Sequence, residues 1–383
     1  MNIAVNQQLD LLAGAGSEPL LENAVAQMAS AGEKDRGAVF TRPEVVDFIL
    51  DLIGYLPQKK LHERRLLEPS FGQGEFLTAA VARLIKSWKT HRGKCADPVA
   101  ELSGALKAVE LHQASIATTR KTLNKQLNDA GFSTLERDAL LDAWLVQGDF
   151  LLAGFNDTKF DYVVGNPPYV RQESIPEILL AEYRRRFRTL YDRADLYIPF
   201  FERALDLLSS GGQLGFICSD RWVKNKYGGP LRDKIASDFH LKIYVDMVDT
   251  PAFSSDVIAY PAITVIERGT TGETRVAVRP SIERQALNTL ATALRKGAPT
   301  SAFSISPKPV TGAPWVMEAN PELALVRRLE ARFPALEAVG CKVGIGVATG
   351  ADKVESAHHI FFAKSKKYHP TCAAGIFTLS ATS

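Results

Sequence analysis

Cysteine is scarce in this 383-residue chain, and the four present (Cys95, Cys218, Cys341 and Cys372) share no short spacing. A disulfide framework or a zinc site needs closely spaced pairs, so both are disfavoured, and a reducing, cytoplasmic setting is expected. No cluster of other metal ligands stands out either, so no metal is expected. Long apolar runs are lacking, which argues against a membrane-spanning helix. Residues Met1 to Asp10 lack the basic start and apolar core of a secretion signal. An excess of one charge is also missing, since the formal net charge is +3. Nucleic-acid binding would therefore require cations gathered on one face. What remains is an ordinary globular composition, long enough for two domains or one large domain with additions.

The most informative stretch is Phe160 to Tyr169. Tyr162 to Val164 reads as a buried strand, and Gly165-Asn166-Pro167-Pro168-Tyr169 ends it. Proline gives no ladder hydrogen bond and restricts the residue before it, so a stiff loop presenting an amide and an aromatic must emerge there. Upstream, Leu66-Leu67-Glu68-Pro69-Ser70-Phe71-Gly72-Gln73-Gly74 reads as a strand entering a glycine turn, followed by a helix from Phe76. Glycines at such a turn let the backbone approach a ligand closely. Leu102 to Val109 reads as a second strand ending in Glu110, and Trp144 to Phe150 as a third carrying Asp149. Further strands are expected at Gln213 to Cys218, Leu241 to Met247 and Ala259 to Glu267, the last paired through a short turn with Thr274 to Arg279. Polar groups at successive strand ends suit a parallel α/β sheet that binds ligands along that edge.

Two other features are ambiguous on their own. Thr41 and Glu44 have capping-box spacing ahead of a helical apolar pattern, so Thr41 reads first as a helix cap. Arg171 to Ala194 interleaves Arg171, Arg184, Arg186 and other arginines with Tyr183, Phe187 and Tyr191. Ser219 to Lys234 adds Arg221, Lys224, Lys226, Arg232 and Lys234. Such segments suit a phosphate backbone, although Glu173, Glu177 and Glu182 also suit a solvated helix face.

Taken together, Phe40-Thr41-Arg42-Pro43, Glu68-Pro-x-x-Gly-x-Gly74, Gly148-Asp149-Phe150 and Asn166-Pro167-Pro168-Tyr169, in that order, resemble the gamma class of adenine-specific DNA amino-methyltransferases. The resemblance covers roughly residues 37–268. It implies a Rossmann-like S-adenosylmethionine-dependent fold with a seven-stranded, mostly parallel sheet and an antiparallel edge. It also implies methyl transfer to the exocyclic nitrogen of a flipped adenine in double-stranded DNA, for restriction-modification or phage defence. Phe40, Thr41, Glu68, Pro69, Gly72 and Gly74 would hold the methionine part of the cofactor. Glu110 would hold the ribose, Asp149 the adenine amino group, and Phe150 would pack on that ring. Asn166 and Pro167 would accept from the target amine, with Pro168 stiffening the loop, and Tyr169 and Phe253 would stack on the base. Arg171, Arg184, Arg186, Arg221 and Lys224 are the candidate DNA-backbone contacts.

The expected division is an arm at 1–36, a catalytic domain at 37–283, a helical linker at 284–339 and the start of a shortened recognition region at 340–383. A monomer is expected, with cleavage or specificity supplied by a separate polypeptide. The four-residue motif by itself specifies only an amino nitrogen in a planar system. A protein glutamine or a ribosomal RNA guanine is thus an alternative acceptor, and a silent DNA-binding subunit an alternative role.

Overall fold

The computed structural model describes residues 18–30, 32, 39–254, 260–297, 301–307, 309, 312–317, 329 and 332–334. The chain divides into two compact units, Met1–Ala319 and Asn320–Ser383, and every element below lies in the first. Of the expected helical linker at 284–339 little beyond residue 317 is described, and the expected recognition region at 340–383 falls outside the described residues entirely.

In chain order the elements are α1 (Glu18–Ser30), α2 (Pro43–Leu52), β1 (Leu66–Glu68), α3 (Glu75–His91), α4 (Pro98–Leu102), β2 (Leu106–Glu110), α5 (Gln113–Asp129), α6 (Thr134–Trp144), β3 (Leu145–Gln147) and β4 (Phe160–Gly165). There follow α7 (Glu177–Arg186), α8 (Tyr197–Asp206), β5 (Leu208–Ser219), α9 (Arg221–Lys224), α10 (Gly229–Asp238), β6 (His240–Asp246), β7 (Pro261–Glu267), β8 (Thr274–Val278), α11 (Arg284–Lys296) and β9 (Ser304–Ser306). The strands form one sheet in the order β3-β2-β1-β4-β5-β7-β6-β8-β9. From β3 to β5 every pairing is parallel.

Strand residues alternate between two cores because successive side chains leave opposite faces. Leu66, Tyr162, Val164 and Ile217 join a cluster with α2, α3, α5, α6 and α11. Leu67, Val163, Phe216 and Cys218 join one with α1, α7, α8, α9 and α10. The sheet is therefore covered on both faces, as a mostly parallel sheet requires. Strand order reverses between β1 and β4, so a crevice opens beyond their carboxyl ends.

The expected strand at Thr274 to Arg279 is β8, β9 was not expected, and the antiparallel side is assembled differently from the expected hairpin. β7 runs antiparallel between β5 and β6, with both of its edges occupied. β8 therefore cannot pair with β7 and instead adds in parallel to β6. A six-residue link looked like a hairpin turn, but the apolar strand β7, buried along nearly its whole length, is sequestered by longer-range partners. Two boundaries also move. Leu102 ends a short helix capped by Asp97, and β2 starts at Leu106. Thr41 is not a helix cap, because Arg42 holds the N-cap position of α2 and makes no side-chain cap bond.

One ion cluster fixes α2, on which the site depends. Arg83 of α3 donates to Asp51 Oδ1 at 2.7 Å, to Asp47 Oδ1 at 3.0 Å and to the carbonyls of Asp47 and Tyr55, each at 3.0 Å. Its side chain is only 12% exposed, so these bonds are poorly replaced by water. Arg83→Met should lower the stability measured by urea unfolding by about 2–4 kcal/mol, since the half-buried Asp51 loses its charged partner, Asp47 keeps only Arg284, and two backbone carbonyls lose their donor. Lys60→Met, which breaks an exposed pair with Glu63, should change it by less than about 1 kcal/mol.

Candidate active site

Three carboxylates arrive at the carboxyl ends of adjacent strands. Glu68 ends β1, Glu110 ends β2, and Asp149 follows β3. The link from β1 to α3 turns through Gly72 at φ +51° and Gly74 at φ +85°. A Cβ at Gly74 would lie 2.6 Å from the Thr119 methyl of α5, so the close approach demands glycine as well as the left-handed backbone. Thr119 Oγ1 also donates to the Gly72 carbonyl at 3.3 Å. Glu110 accepts from the backbone N–H groups of Gly72 at 2.7 Å and of Leu111 and His112, each at 2.9 Å. The carboxylate thereby ties the glycine turn to the end of β2.

These groups line one cavity of about 250 Å³. Among the residues anticipated from sequence, its wall contains Phe40, Thr41, Glu68, Pro69, Gly72, Glu110, Asp149, Phe150, Asn166 and Pro168. Gly74 lies at the N-cap of α3, and Pro167 is buried behind the loop. Asp149 Oδ1 accepts from Leu151 N at 2.7 Å, and burial raises its carboxyl above the ordinary range. Phe150 packs on Phe200 with ring centroids 5.1 Å apart.

Asn166 is held from one side only. Its Nδ2 donates to the Val39 carbonyl at 2.9 Å and to Thr41 Oγ1 at 3.3 Å. Its Oδ1 is buried and has no hydrogen-bond partner. Thr41 is in turn fixed by an isolated antiparallel bridge to Phe253, supported by Arg42 N to Ala252 O at 3.0 Å and Ser254 N to Phe40 O at 2.9 Å. The Phe-Thr-x-Pro segment is thus an extended strap joining the Asn166 loop to residues 252–254.

Tyr169 and Phe253 do not line the cavity. Tyr169 is half-buried, its ring centroid 6.5 Å from that of Tyr197, and its hydroxyl has no partner. Phe253 is 8% exposed and packs in the core on the α2 side.

Several lining residues were not anticipated: Met28 of α1, His112, Tyr183 of α7, and Leu196 and Phe200. Contrary to the sequence-based expectation, Tyr183 is not placed to contact phosphate. It is 2% exposed and donates its hydroxyl to Asp149 Oδ2. Leu179, one turn earlier and also buried, was the available signal for an inward stripe. Phe187 is likewise buried. Nor does Arg232 reach the surface. It is 1% exposed and donates to the carbonyls of Trp222, Asn225 and Gly312. Lys234 pairs with Asp206 at 2.6 Å. Of the remaining cations, Arg186 is paired with Glu182 and Lys224 with Asp220. Arg184 donates to Gln172 Oε1 at 2.7 Å. Arg171 and Arg221 are exposed, and Arg221 lies over the Tyr260 ring at 5.6 Å.

A glycine turn, acids at three successive strand ends and a proline-stiffened amide around one cavity are a combination that can be compared with known proteins. Residues 93–253 match the Eco57I restriction-modification methylase family. That match spans under half of the chain. The Type II methyltransferase M.PaeR7I of Pseudomonas aeruginosa is 56% identical over 88% of this chain and 59% of its own length. M.XhoI of Xanthomonas vasicola is 50% identical over 84% of this chain and 60% of its own. The chain thus spans about six tenths of these curated relatives. Among solved structures, a modification subunit of a putative type I restriction enzyme from Vibrio vulnificus covers 80% of this chain and 64% of its own, with a TM-score of 0.54 at 12% identity. That likeness shows the fold alone, which is the Rossmann-like methyltransferase fold expected from the sequence.

Among the three strand-end acids, Glu68 is the most buried. It is 1% exposed and its Oε2 has no partner. Burial raises its carboxyl well above the ordinary range, and Glu75 and Glu110 add to the effect. A carboxyl raised in the folded state stabilises fully below its unfolded value and loses that stability as pH rises through the folded value. Glu68→Gln should therefore be more stable than wild type at pH 8 by about 1–3 kcal/mol, with the difference closing towards pH 4. Urea unfolding at the two pH values measures this, and a variant less stable at pH 8 would show that the carboxylate is compensated in the fold.

Proposed function

We propose that this chain binds S-adenosylmethionine and methylates the exocyclic N6 of an adenine turned out of double-stranded DNA. The observation that carries the reading is Asn166, a cavity-lining residue whose Nδ2 is anchored while its Oδ1 is buried without a hydrogen-bond partner. An exocyclic adenine nitrogen is flat because its lone pair is delocalised into the ring. Asn166 Oδ1 and the Pro167 carbonyl, accepting its two hydrogens, would draw it towards a pyramidal geometry and accommodate the charge that develops there. Pro167 and Pro168 keep both acceptors aimed, so little reorganisation is needed during the reaction. The anchoring of Nδ2 also dictates which end of the amide meets the amine.

The cavity suits the cofactor by its own donor set. The orphaned Glu68 Oε2 matches an ammonium, Glu110 matches vicinal hydroxyls, and Asp149 beside Phe150 and Phe200 matches an aminopurine. When bound, S-adenosylmethionine supplies a methyl group already activated on sulfur, which leaves the chain the tasks of alignment and charge placement. Phe40 and Thr41 close the methionine end and link it to Asn166. No general base is required, because the nitrogen becomes acidic as the new bond forms.

A base inside a duplex is out of reach, and extruding it costs a few kcal/mol. Tyr169 and Phe253 would offset this by stacking, worth about 1–3 kcal/mol per base. Phe253 has to turn out of its present packing to do so. Arg171 and Arg221 would contact the DNA backbone, with Arg184, Arg186 and Lys224 in supporting positions. The relatives named as Type II methyltransferases favour DNA over a protein glutamine or ribosomal RNA, and a restriction-modification role in which cleavage comes from a partner protein.

Asn166→Ala should reduce methyl transfer by about 10²–10³-fold, as for loss of one positioned charge-stabilising group. The affinity for S-adenosylhomocysteine should stay within about twofold, since that interaction belongs to the transition state alone. Tritiated cofactor with unmethylated duplex and calorimetry read the two quantities. A collapse of cofactor affinity would sink the division of roles, and label entering protein or RNA but no DNA would sink the choice of substrate.

A further inference from the structure

The segment after the Asn166 loop is polar overall, yet one stripe of it is not. On α7, Leu179 and Tyr183 face inward at helical spacing, while Arg184, Arg185 and Arg186 face solvent. The inward face is continuous with the cavity. Tyr183 lines it together with Asp149, Phe150, Leu196, Phe200 and Met28.

Asp149 has its two oxygens committed differently. Oδ1 accepts from Leu151 N at 2.7 Å, and Oδ2 accepts from the Tyr183 hydroxyl. A phenol that spends its one proton on Oδ2 requires that oxygen to be an acceptor. With a backbone N–H on the other oxygen, both oxygens are engaged as acceptors, and a ligand edge that donates suits them best. Burial favours the protonated acid, whereas the bond from Tyr183, the backbone N–H groups of Leu151 and Leu152 and the Arg203 charge favour the carboxylate, with Tyr183 the largest of these. The other charged or titratable groups around the pair are Arg203 of α8, Arg186 of α7, and Glu110, His112 and Glu68 on the strand-end side of the cavity. Arg203 is directed elsewhere, donating to the carbonyls of Leu151 and Ala153.

We propose that Tyr183 holds Asp149 as an obligate hydrogen-bond acceptor and so makes the cavity select a 6-amino purine over a 6-oxo purine in its methyl-donor cofactor. The assignment rests on the cofactor reading above. Tyr183 is a positioning residue here, acting on the ligand through Asp149. Without its hydroxyl, Oδ2 is free to carry a proton, and a protonated Asp149 donates to the oxygen of a 6-oxo purine as readily as the carboxylate accepts from an amine. The phenol ring contributes packing that phenylalanine retains, so discrimination and stability can be separated.

The test compares S-adenosylhomocysteine with S-inosylhomocysteine by calorimetry on the full chain, wild type and Tyr183→Phe. Wild type should favour the adenosyl ligand by at least about tenfold, the value of a hydrogen bond to a charged group. In Tyr183→Phe the preference should shrink by about tenfold, chiefly through tighter binding of the inosyl ligand, with the unliganded melting temperature little changed. A preference that survives in the variant overturns the proposal. Where Tyr183→Phe does not fold, Tyr183→Met removes the same hydroxyl and carries the same reading. Wild type binding neither ligand would overturn the cofactor reading and this assignment with it, a result distinct from unchanged discrimination.

Discussion

The arrangement depends on the bond from Asn166 Nδ2 to the Val39 carbonyl. An amide on a loop can turn either end to a ligand, and this bond decides the matter by holding the nitrogen. Val39 and Thr41 can serve only if the chain before α2 is drawn across the carboxyl edge of the sheet. That position is maintained by backbone pairing with residues 252–254 and by the Arg83 cluster that secures α2. The sheet, the strap and the ion cluster therefore converge on the orientation of a single side chain.

The same edge gathers acidic side chains away from water. Glu68, Glu110 and Asp149 stand at neighbouring strand ends, each inside the cavity wall. Glu110 is relieved by three backbone N–H groups and Asp149 by a backbone N–H and Tyr183. Glu68 has no such relief for Oε2. An unrelieved acid in a packed interior lowers stability and is retained where a cationic ligand group can meet it.

Much of this edge was legible in the sequence because each element announces its own end. Glycine and proline stop strands through local sterics, so the placement of Gly72, Glu110, Asp149 and Asn166 at strand ends followed from a few neighbours each. What was not legible depends on which face of an element is covered. The arginines of α7 and Arg232 of α10 look alike in a count of charges, yet Arg184 faces water and Arg232 is enclosed by carbonyls. Tyr183 could be placed only once α7 was seen against the cavity. The pairing of β7 was hidden for a related reason: its neighbours β5 and β6 are set by the whole sheet and not by the short link to β8. Thr41 looked like a cap because its spacing to Glu44 is a local signal, and a contact 125 residues away with Asn166 overrode it.

The strap also has a kinetic meaning. The bond from Arg42 to the Phe253 carbonyl closes a loop of 211 residues that encloses β1 to β6. Contacts of such separation form late, since the ordering entropy of the intervening chain must be met first. During synthesis the glycine turn and the ends of β1 to β4 can assemble well before residue 253 leaves the ribosome. The strap's hold on Thr41 is incomplete until then, so the strand-end side of the cavity can form before the Phe40–Thr41 wall that steadies Asn166.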